Sequence, residues 1–335
     1  MPAPLNFLHR QEDYQVIWFH DSFGVIGDVL RYADRRSYLI FSFSWYADVG
    51  GRLQKIFDAF SAAVADGPGP HITPDQILFL MNSQQELKIA KAADTLFRFA
   101  LVNNTCFLDP QIYTIVPGTE KIFDAVCNAK ALAFKRHSLT EKIENKCFIT
   151  YDSNEHDYGM TAKVNLRELN PASIVADVGA RDVVETLNRS HVGLILSAEE
   201  GACYASTEYL LCGLPVVSTP SRGGRTEFYT TENSIEVPPD ADAVRDAVNS
   251  LRDRLRNGVL KPQLIREGAI ARIEQFRSNF LGALETLLWR EPGAATVRTK
   301  AEALIHKHSK MVPYRNWFKT SVQTEAERLV CSGQC

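Results

Sequence analysis

What this chain lacks narrows it first. Its 335 residues contain no run approaching the roughly 20 apolar residues that a helix needs to cross a bilayer. The opening MPAPLNFLHRQEDYQ lacks the basic, then apolar, then small-residue order of a secretory leader. Cysteine is sparse, with residues at 106, 127, 147, 203, 212, 331 and 335 and no CxxC pair. An odd, scattered set of this kind argues against a zinc knuckle and against a disulfide framework, so buried free thiols in a reducing compartment are expected. Charge of neither sign dominates: 37 Lys and Arg stand against 40 Asp and Glu, for a net charge of −3. No global field would gather nucleic acid, and any anion site must be local. There is no internal repeat and no low-complexity tract, and a cytoplasmic location is expected.

What is present reads as α/β. A chain of this length is long for a single core, so two domains are expected. Apolar runs at 16–19, 38–43 and 77–81 predict buried strands, and helical periodicity marks 53–65 and 84–99. The stretch GPGPHITPD over 67–75 is a loop excursion inside the first domain. A second series has strands at 147–151 and 174–177, a helix at 182–189 and a strand at 192–196. A short helix stopping at Gly213 follows, then a strand at 215–218, a Gly223-Gly224 turn and a strand at 235–237. From Asp242 to about Leu288 the pattern is mostly helical. Strands alternating with helices imply parallel sheets joined by right-handed crossovers. The expected plan is two Rossmann-like domains facing across a cleft, an abbreviated one over 1–125 and a second over 126–290. A helical tail over 291–335 follows, with Tyr314, Trp317 and Phe318 as anchors that would pack back on the first domain.

The segment richest in chemistry is HVGLILSAEEGACYASTEYLLCGLPVVSTPSRGGR, over 191–225. In open α/β sheets ligands sit beyond the carboxyl ends of strands, where loops lead into helix N-termini. The loop after Leu196 does this. Gly201 and Ala202 would let a ligand approach the backbone, and N–H groups near Tyr204, Ala205 and Ser206 would face a phosphate. Glu200 and Glu208 would repel phosphate alone, but a carboxylate accepts paired hydrogen bonds from a ribose or hexose diol. A cation must then offset the phosphate, and Lys130, Lys135, Arg136 and His137 form the candidate cluster. Taken singly, these features have plain structural readings: first-turn acids favoured by a helix dipole, a chance spacing, a solvated basic face. Their co-occurrence in one order points to an anionic, hydroxyl-rich ligand.

The run S-A-E-E-G-x3-A-x2-E-Y-L-L-C-G-L-P-V-V-S-T-x3-G-G resembles the donor-site motif of retaining glycosyltransferases of the GT-B fold, family four or close kin. Glu200-x7-Glu208 falls on that family's E-x7-E signature. The resemblance implies that Glu200 contacts the donor-sugar hydroxyls and Glu208 the ribose. Gly201, Ala202, Cys203, Tyr204 and Ala205 would supply N–H groups to the diphosphate. Upstream, Asn128-Ala129-Lys130 followed by Lys135 is similar to the family's basic pair, with Lys130 where Arg is usual and Arg136 able to share the role. Met81-Asn82-Ser83, Val102-Asn103-Asn104 and Phe107-Leu108-Asp109 resemble the end of the family's first domain. Trp18-Phe19-His20-Asp21 resembles its strand-end histidine, which makes His20 a candidate against the donor sugar. The likeness covers about residues 77–250. The chain departs from the family at Ala202-Cys203-Tyr204-Ala205, where many relatives carry Gly-Phe-Gly-Leu-Pro. It departs again in having only about 80 residues before Asn82-Ser83, with no evident glycine-rich loop unless Gly24, Gly27 or Gly50-Gly51 replaces it.

The function implied is transfer of a hexose from a nucleotide diphosphate sugar to a glycan or lipid-linked acceptor, with retention at the anomeric carbon. Glu200, Lys135, Lys130 and His20 would be the catalytic set, and Glu208 and Arg136 would help hold the donor. No metal or other cofactor is expected, because two cations and a helix N-terminus replace it. Nucleic acid is not an expected partner. A lipid-linked acceptor would bring the protein to the inner face of the membrane. Trp18, Phe23, Trp45 and Tyr46 would line an acceptor surface or belong to the core. Two rival readings share the architecture: a nucleotide-sugar 2-epimerase and a non-catalytic nucleotide-sugar-binding subunit.

Overall fold

Phe19, Phe41, Phe79 and Phe99 form one stacked row through the N-terminal sheet, successive ring centroids lying 4.9, 5.3 and 5.4 Å apart. The structure is a computed structural model that describes residues 5–10, 13–20, 36–47, 51–65, 72–93, 96–151 and 162–307. These fall into two compact units. One joins the described residues up to Phe107 with those from Glu274 onward, and the other is Leu108–Ile273.

In the first unit, β1 (Leu5–Arg10), β2 (Gln15–His20), β3 (Ser37–Ser42), β4 (Ile77–Met81) and β5 (Arg98–Leu101) lie side by side in that order. β1 is antiparallel to β2, and the others run parallel. The aromatic row follows from register: Phe19 pairs with Phe41, Phe41 with Phe79, and Phe79 with Phe99. Paired positions put their side chains on one face, so the four rings meet. β3 and β4 are buried at every position, as strands covered on both faces must be. Phe57 of α1 (Arg52–Ala65) stacks on Phe97 at 5.0 Å and extends the same core. Trp18 belongs to the interior of this unit. It is buried against Phe107 and Phe280, and its indole N–H donates to the Ser42 hydroxyl at 2.9 Å.

α2 (Gln84–Ala93) leads into β5, and beyond it the chain enters the second unit's sheet. This comprises β6 (Phe123–Asn128), β7 (Lys146–Thr150), β8 (Ser173–Ala176), β9 (Ser190–Ile195), β10 (Val216–Ser218) and β11 (Ser234–Glu236). All six are parallel, in the order β11-β10-β9-β6-β7-β8. The chain winds outward from β6 to β8, then returns to lay β9 on the other flank of β6. The order therefore reverses between β6 and β9, where open α/β sheets bind their ligands. The helices after β8 are α3 (Ala180–Asn188), α4 (Tyr204–Leu211), α5 (Ala241–Arg256), α6 (Pro262–Leu287) and α7 (Ala294–Lys307), of which α7 and the part of α6 from Glu274 belong to the first unit. α4 stops where the sequence stops it. Gly213 adopts φ +74, its N–H bonds to Leu210 O, and Leu214 N–H bonds to Tyr209 O, the paired closure of a Schellman end.

Three elements differ from the sequence expectations. The helix expected over 84–99 ends at Ala93, and Arg98–Leu101 is a strand pairing with β4. Phe99 and Leu101 pack on the core there, a tertiary gain that local periodicity does not register. β1 and β6 were not anticipated, because LNFLHR and FDAVCN break their apolar runs with polar residues. Residue 125, the expected boundary, stands within β6. Tyr314, Trp317, Phe318, Phe23, Gly24, Gly27 and Gly50 lie outside the described residues. Gly51 precedes α1, and its carbonyl accepts the Lys55 N–H at 3.2 Å.

Candidate functional site

Two loops leave the carboxyl ends of β6 and β9 at the strand-order reversal. The first runs from Asn128 through Lys130 to a short 3-10 turn, Ala133–Lys135. The second runs from Ser197 to Cys203 and into α4. They meet in an ion pair between Lys135 Nζ and Glu200 Oε1, 65 positions apart in sequence. Both groups are largely withdrawn from solvent, the side chains 16% and 8% exposed. Burial works against the charge on Lys135, but the adjacent Glu200 carboxylate outweighs it, so the lysine pKa lies above its ordinary value. The Ser197 hydroxyl donates to the same Glu200 oxygen at 2.6 Å.

Glu208, inside α4, is also buried. Its Oε2 accepts from Asn128 Nδ2 at 3.1 Å, and it pairs with the Tyr113 hydroxyl. Burial pushes its pKa up to about 7, against the lowering effect of those two donors. Next along the helix, the Tyr209 hydroxyl accepts the backbone N–H of Asn128 at 2.6 Å. Two consecutive residues of α4 thus grip the end of β6. The E-x7-E spacing places one carboxylate on the loop and the other one turn into α4, both at the strand-order reversal.

The Gly223-Gly224 turn closes against this loop. Arg222 O accepts the Glu200 N–H at 3.0 Å, and Gly224 N–H donates to Gly201 O at 2.7 Å. Gly223 has φ +118, and a β-carbon there would stand 2.7 Å from the Glu200 carbonyl carbon. Only glycine fits both the backbone and the space. Glu199 points elsewhere and pairs with Arg222 at the surface. Ala202 is buried, and Cys203, with φ +59, is the N-cap of α4. Tyr204 and Ala205 open the helix. The Ser206 N–H is taken by Cys203 O at 3.1 Å, which corrects the expectation that it would face a phosphate.

The remaining sequence candidates are placed differently. Lys130 is on the β6 loop with its ammonium 5.6 Å from the Tyr151 ring centroid. Arg136 follows the 3-10 turn in a left-handed conformation, φ +55. His137 is buried beside Phe148, and burial together with Lys135 pushes its pKa down to about 4. It therefore adds no positive charge to the basic cluster near neutral pH. His20 closes β2 in the other unit, and its side chain lies outside the described residues. The Asp240-Ala241-Asp242 triplet, with the Asp-x-Asp spacing of metal motifs, is spent on the start of α5. Asp240 caps the helix through Ala243 N–H at 3.0 Å, and Asp242 pairs with Lys142 and Arg245. Sequence reasoning missed Ser197, Tyr113, Tyr209 and Arg225 as parts of this constellation. Ser197 and Arg225 lie within the quoted motif, whereas Tyr113 is remote and carries no local signal.

No protein-family model matches this sequence, and no curated protein sequence matches it. Solved structures do. Anabaena HepE in complex with UDP aligns with a TM-score of 0.53 at 13% identity, covering 86% of this chain and 78% of that one. The fold is GT-B. The pneumococcal O-GlcNAc transferase GtfA, in complex with UDP and GlcNAc, aligns with a TM-score of 0.50 at 11% identity. That match covers 87% of this chain and 55% of GtfA, so the chain spans about half the length of that transferase. Within the GT-B fold of this chain, the paired glutamates and Lys135 occupy the strand-order reversal of the second sheet.

Proposed function

We propose that this protein is a glycosyltransferase that moves a hexose from a nucleotide diphosphate sugar to a glycan or lipid-linked acceptor. Retention at the anomeric carbon and independence of metal are parts of the proposal. The observation that carries it is the Lys135–Glu200 pair at the switch point, with Glu208 held one turn into the helix that follows the Glu200 loop. A cation and two carboxylates in that order match a ligand with phosphate and hydroxyls, and the structural likeness to UDP-bound GT-B proteins supports the same reading.

In this reading Glu200 accepts hydrogen bonds from the sugar, Glu208 from the ribose, and the α4 N-terminus meets the diphosphate. The bond from the anomeric carbon to the phosphate oxygen breaks, and the acceptor oxygen bonds to the same face of that carbon. The acceptor proton passes to the departing phosphate oxygen. Negative charge grows on the diphosphate as it leaves, and Lys135, with Lys130 and Arg136 on the same loop, offsets it electrostatically. In this reading these side-chain cations do the work that a divalent metal does elsewhere.

The test is a screen of UDP-, GDP-, ADP- and dTDP-hexoses for thermal stabilisation, followed by transfer assays on Glu200→Gln and Lys135→Ala. A stabilising ligand raises the melting temperature by mass action. Both variants should lose transfer by about two orders of magnitude or more. Wild-type rates in both would refute the assignment. Isomerised donor sugar in the absence of acceptor would favour the epimerase instead.

A further inference from the structure

Among the described residues Arg225 is the largest fully buried side chain, 1% exposed, and no carboxylate bonds to it. Its partners are neutral. Nη1 donates to Ser197 Oγ at 2.9 Å, and Nη2 donates to the Thr219 carbonyl. A buried guanidinium left with neutral partners is costly unless an anion stands close by. The anion in its hydrogen-bond chain is Glu200, one hydroxyl away.

We propose that Arg225 and Ser197 are positioning residues for Glu200: Arg225 fixes the Ser197 hydroxyl as a one-way donor, and that hydroxyl holds Glu200 turned toward the donor sugar. The inference rests on the reading of Glu200 as the sugar-contacting carboxylate. A guanidinium can only donate. Ser197 Oγ must therefore receive Arg225 on a lone pair, which leaves its single proton for Glu200 Oε1 at 2.6 Å. Lys135 binds the same oxygen. With both donors on Oε1, Oε2 is the oxygen left to accept from a sugar hydroxyl. The carboxylate has given up its rotational freedom before the ligand arrives, so binding need not supply that cost.

The anchor of the relay is equally specific. The two Nη atoms of Arg225 reach the ends of two neighbouring strands, Ser197 after β9 and Thr219 after β10. The Thr219 hydroxyl in turn donates to Leu196 O at 2.8 Å. Lysine at 225 would keep the charge but lose the planar fork.

The test compares binding of a nucleotide hexose with binding of the matching nucleoside diphosphate by titration calorimetry. Wild-type protein must first bind one of the nucleotide hexoses; if it binds none, the functional reading falls and the relay with it. Given wild-type binding, Ser197→Ala should weaken the nucleotide hexose by about tenfold, the worth of one charge-assisted hydrogen bond. The nucleoside diphosphate should change by less than about twofold, and Ser197→Thr should restore the hexose affinity. Arg225→Lys should show the same selective loss, and adding Ser197→Ala to it should cost nothing further. Unchanged hexose binding in Ser197→Ala overturns the proposal. So does equal loss for both ligands, failure of threonine to rescue, or a double variant about a hundredfold weaker. If Arg225→Lys melts below the assay temperature, the two Ser197 variants decide by the same criteria.

Discussion

Gly193 lies flat against Tyr209, so close that a β-carbon on the glycine would stand 2.8 Å from the ring Cε2 and nearer still to Cδ2. The ring cannot simply move, because its hydroxyl receives the Asn128 N–H at 2.6 Å. Gly193→Ala should therefore destabilise the second unit by about 1–3 kcal/mol through overpacking. A thermal melt reads this as a lower midpoint, and a variant that melts with the wild type would contradict it.

Lys135→Ala should cost more than an ordinary surface charge deletion. It leaves Glu200, 8% exposed, without the cation that compensates it. Breaking a buried pair from one side costs about 3–5 kcal/mol, most of it the stranded charge. Adding Glu200→Gln should recover part of that loss. Urea denaturation of the single and double variants checks it, and a double variant less stable than Lys135→Ala would rule it out.

Glu208 makes stability depend on pH in a stated direction. Its pKa rises from 4.5 to about 7 on folding, so the folded chain binds more protons than the unfolded one between those values. Stability from this group is full below the lower value and is lost as pH climbs to the upper one, by at most about 3 kcal/mol. Glu86, also pushed up to about 7 by burial, acts in the same sense, whereas His137 and His191, pushed down to about 4, act in the opposite one. The clean measurement is therefore a difference. Relative to Glu208→Gln, the wild type should lose stability between pH 4.5 and about 7. A pH-independent difference would remove Glu208 from the account.

The proposed ribose contact adds a binding signature to the same group. Diol donors favour the ionised carboxylate, so nucleotide binding near pH 7 should release a proton. Calorimetry in buffers of different ionisation enthalpy would detect it, and Glu208→Gln should abolish it. Equal heats in all buffers would count against Glu208 at the ribose.

Gly223→Ala should separate fold from function. Its φ of +118 and the nearby Glu200 carbonyl leave no room for a methyl group. The backbone strain alone is about 1–3 kcal/mol, and relief of the clash would displace Glu200 and Gly201. Transfer should fall by about a hundredfold, the usual cost of roughly 1 Å of misplacement. Undiminished transfer would show that the turn does not set the loop.

The strands β3 and β4 were legible as continuous apolar runs, and the end of α4 as Gly213, because each is written in neighbouring residues. β6 and β5 were not legible. Asp124 interrupts one, and helical periodicity carries past Ala93 into the other until pairing with β4 overrides it. Glu200, Glu208 and Lys135 were found by type and spacing. Tyr113 was not, since its hydroxyl reaches Glu208 from 95 positions away and nothing near it in the chain marks it.

By itself the sequence determined the alternation of strand and helix, the Gly223-Gly224 turn and the choice of two glutamates eight positions apart. Periodicity, backbone conformation and residue chemistry are local properties, and a chain carries them before it folds. The tertiary structure alone decided that Lys135 meets Glu200, that Glu208 loses enough water to hold a proton near neutrality, and that Arg225 stands behind Ser197. Those are matters of distance and desolvation, which exist only after β9 returns to the flank of β6 and the two loops close on each other.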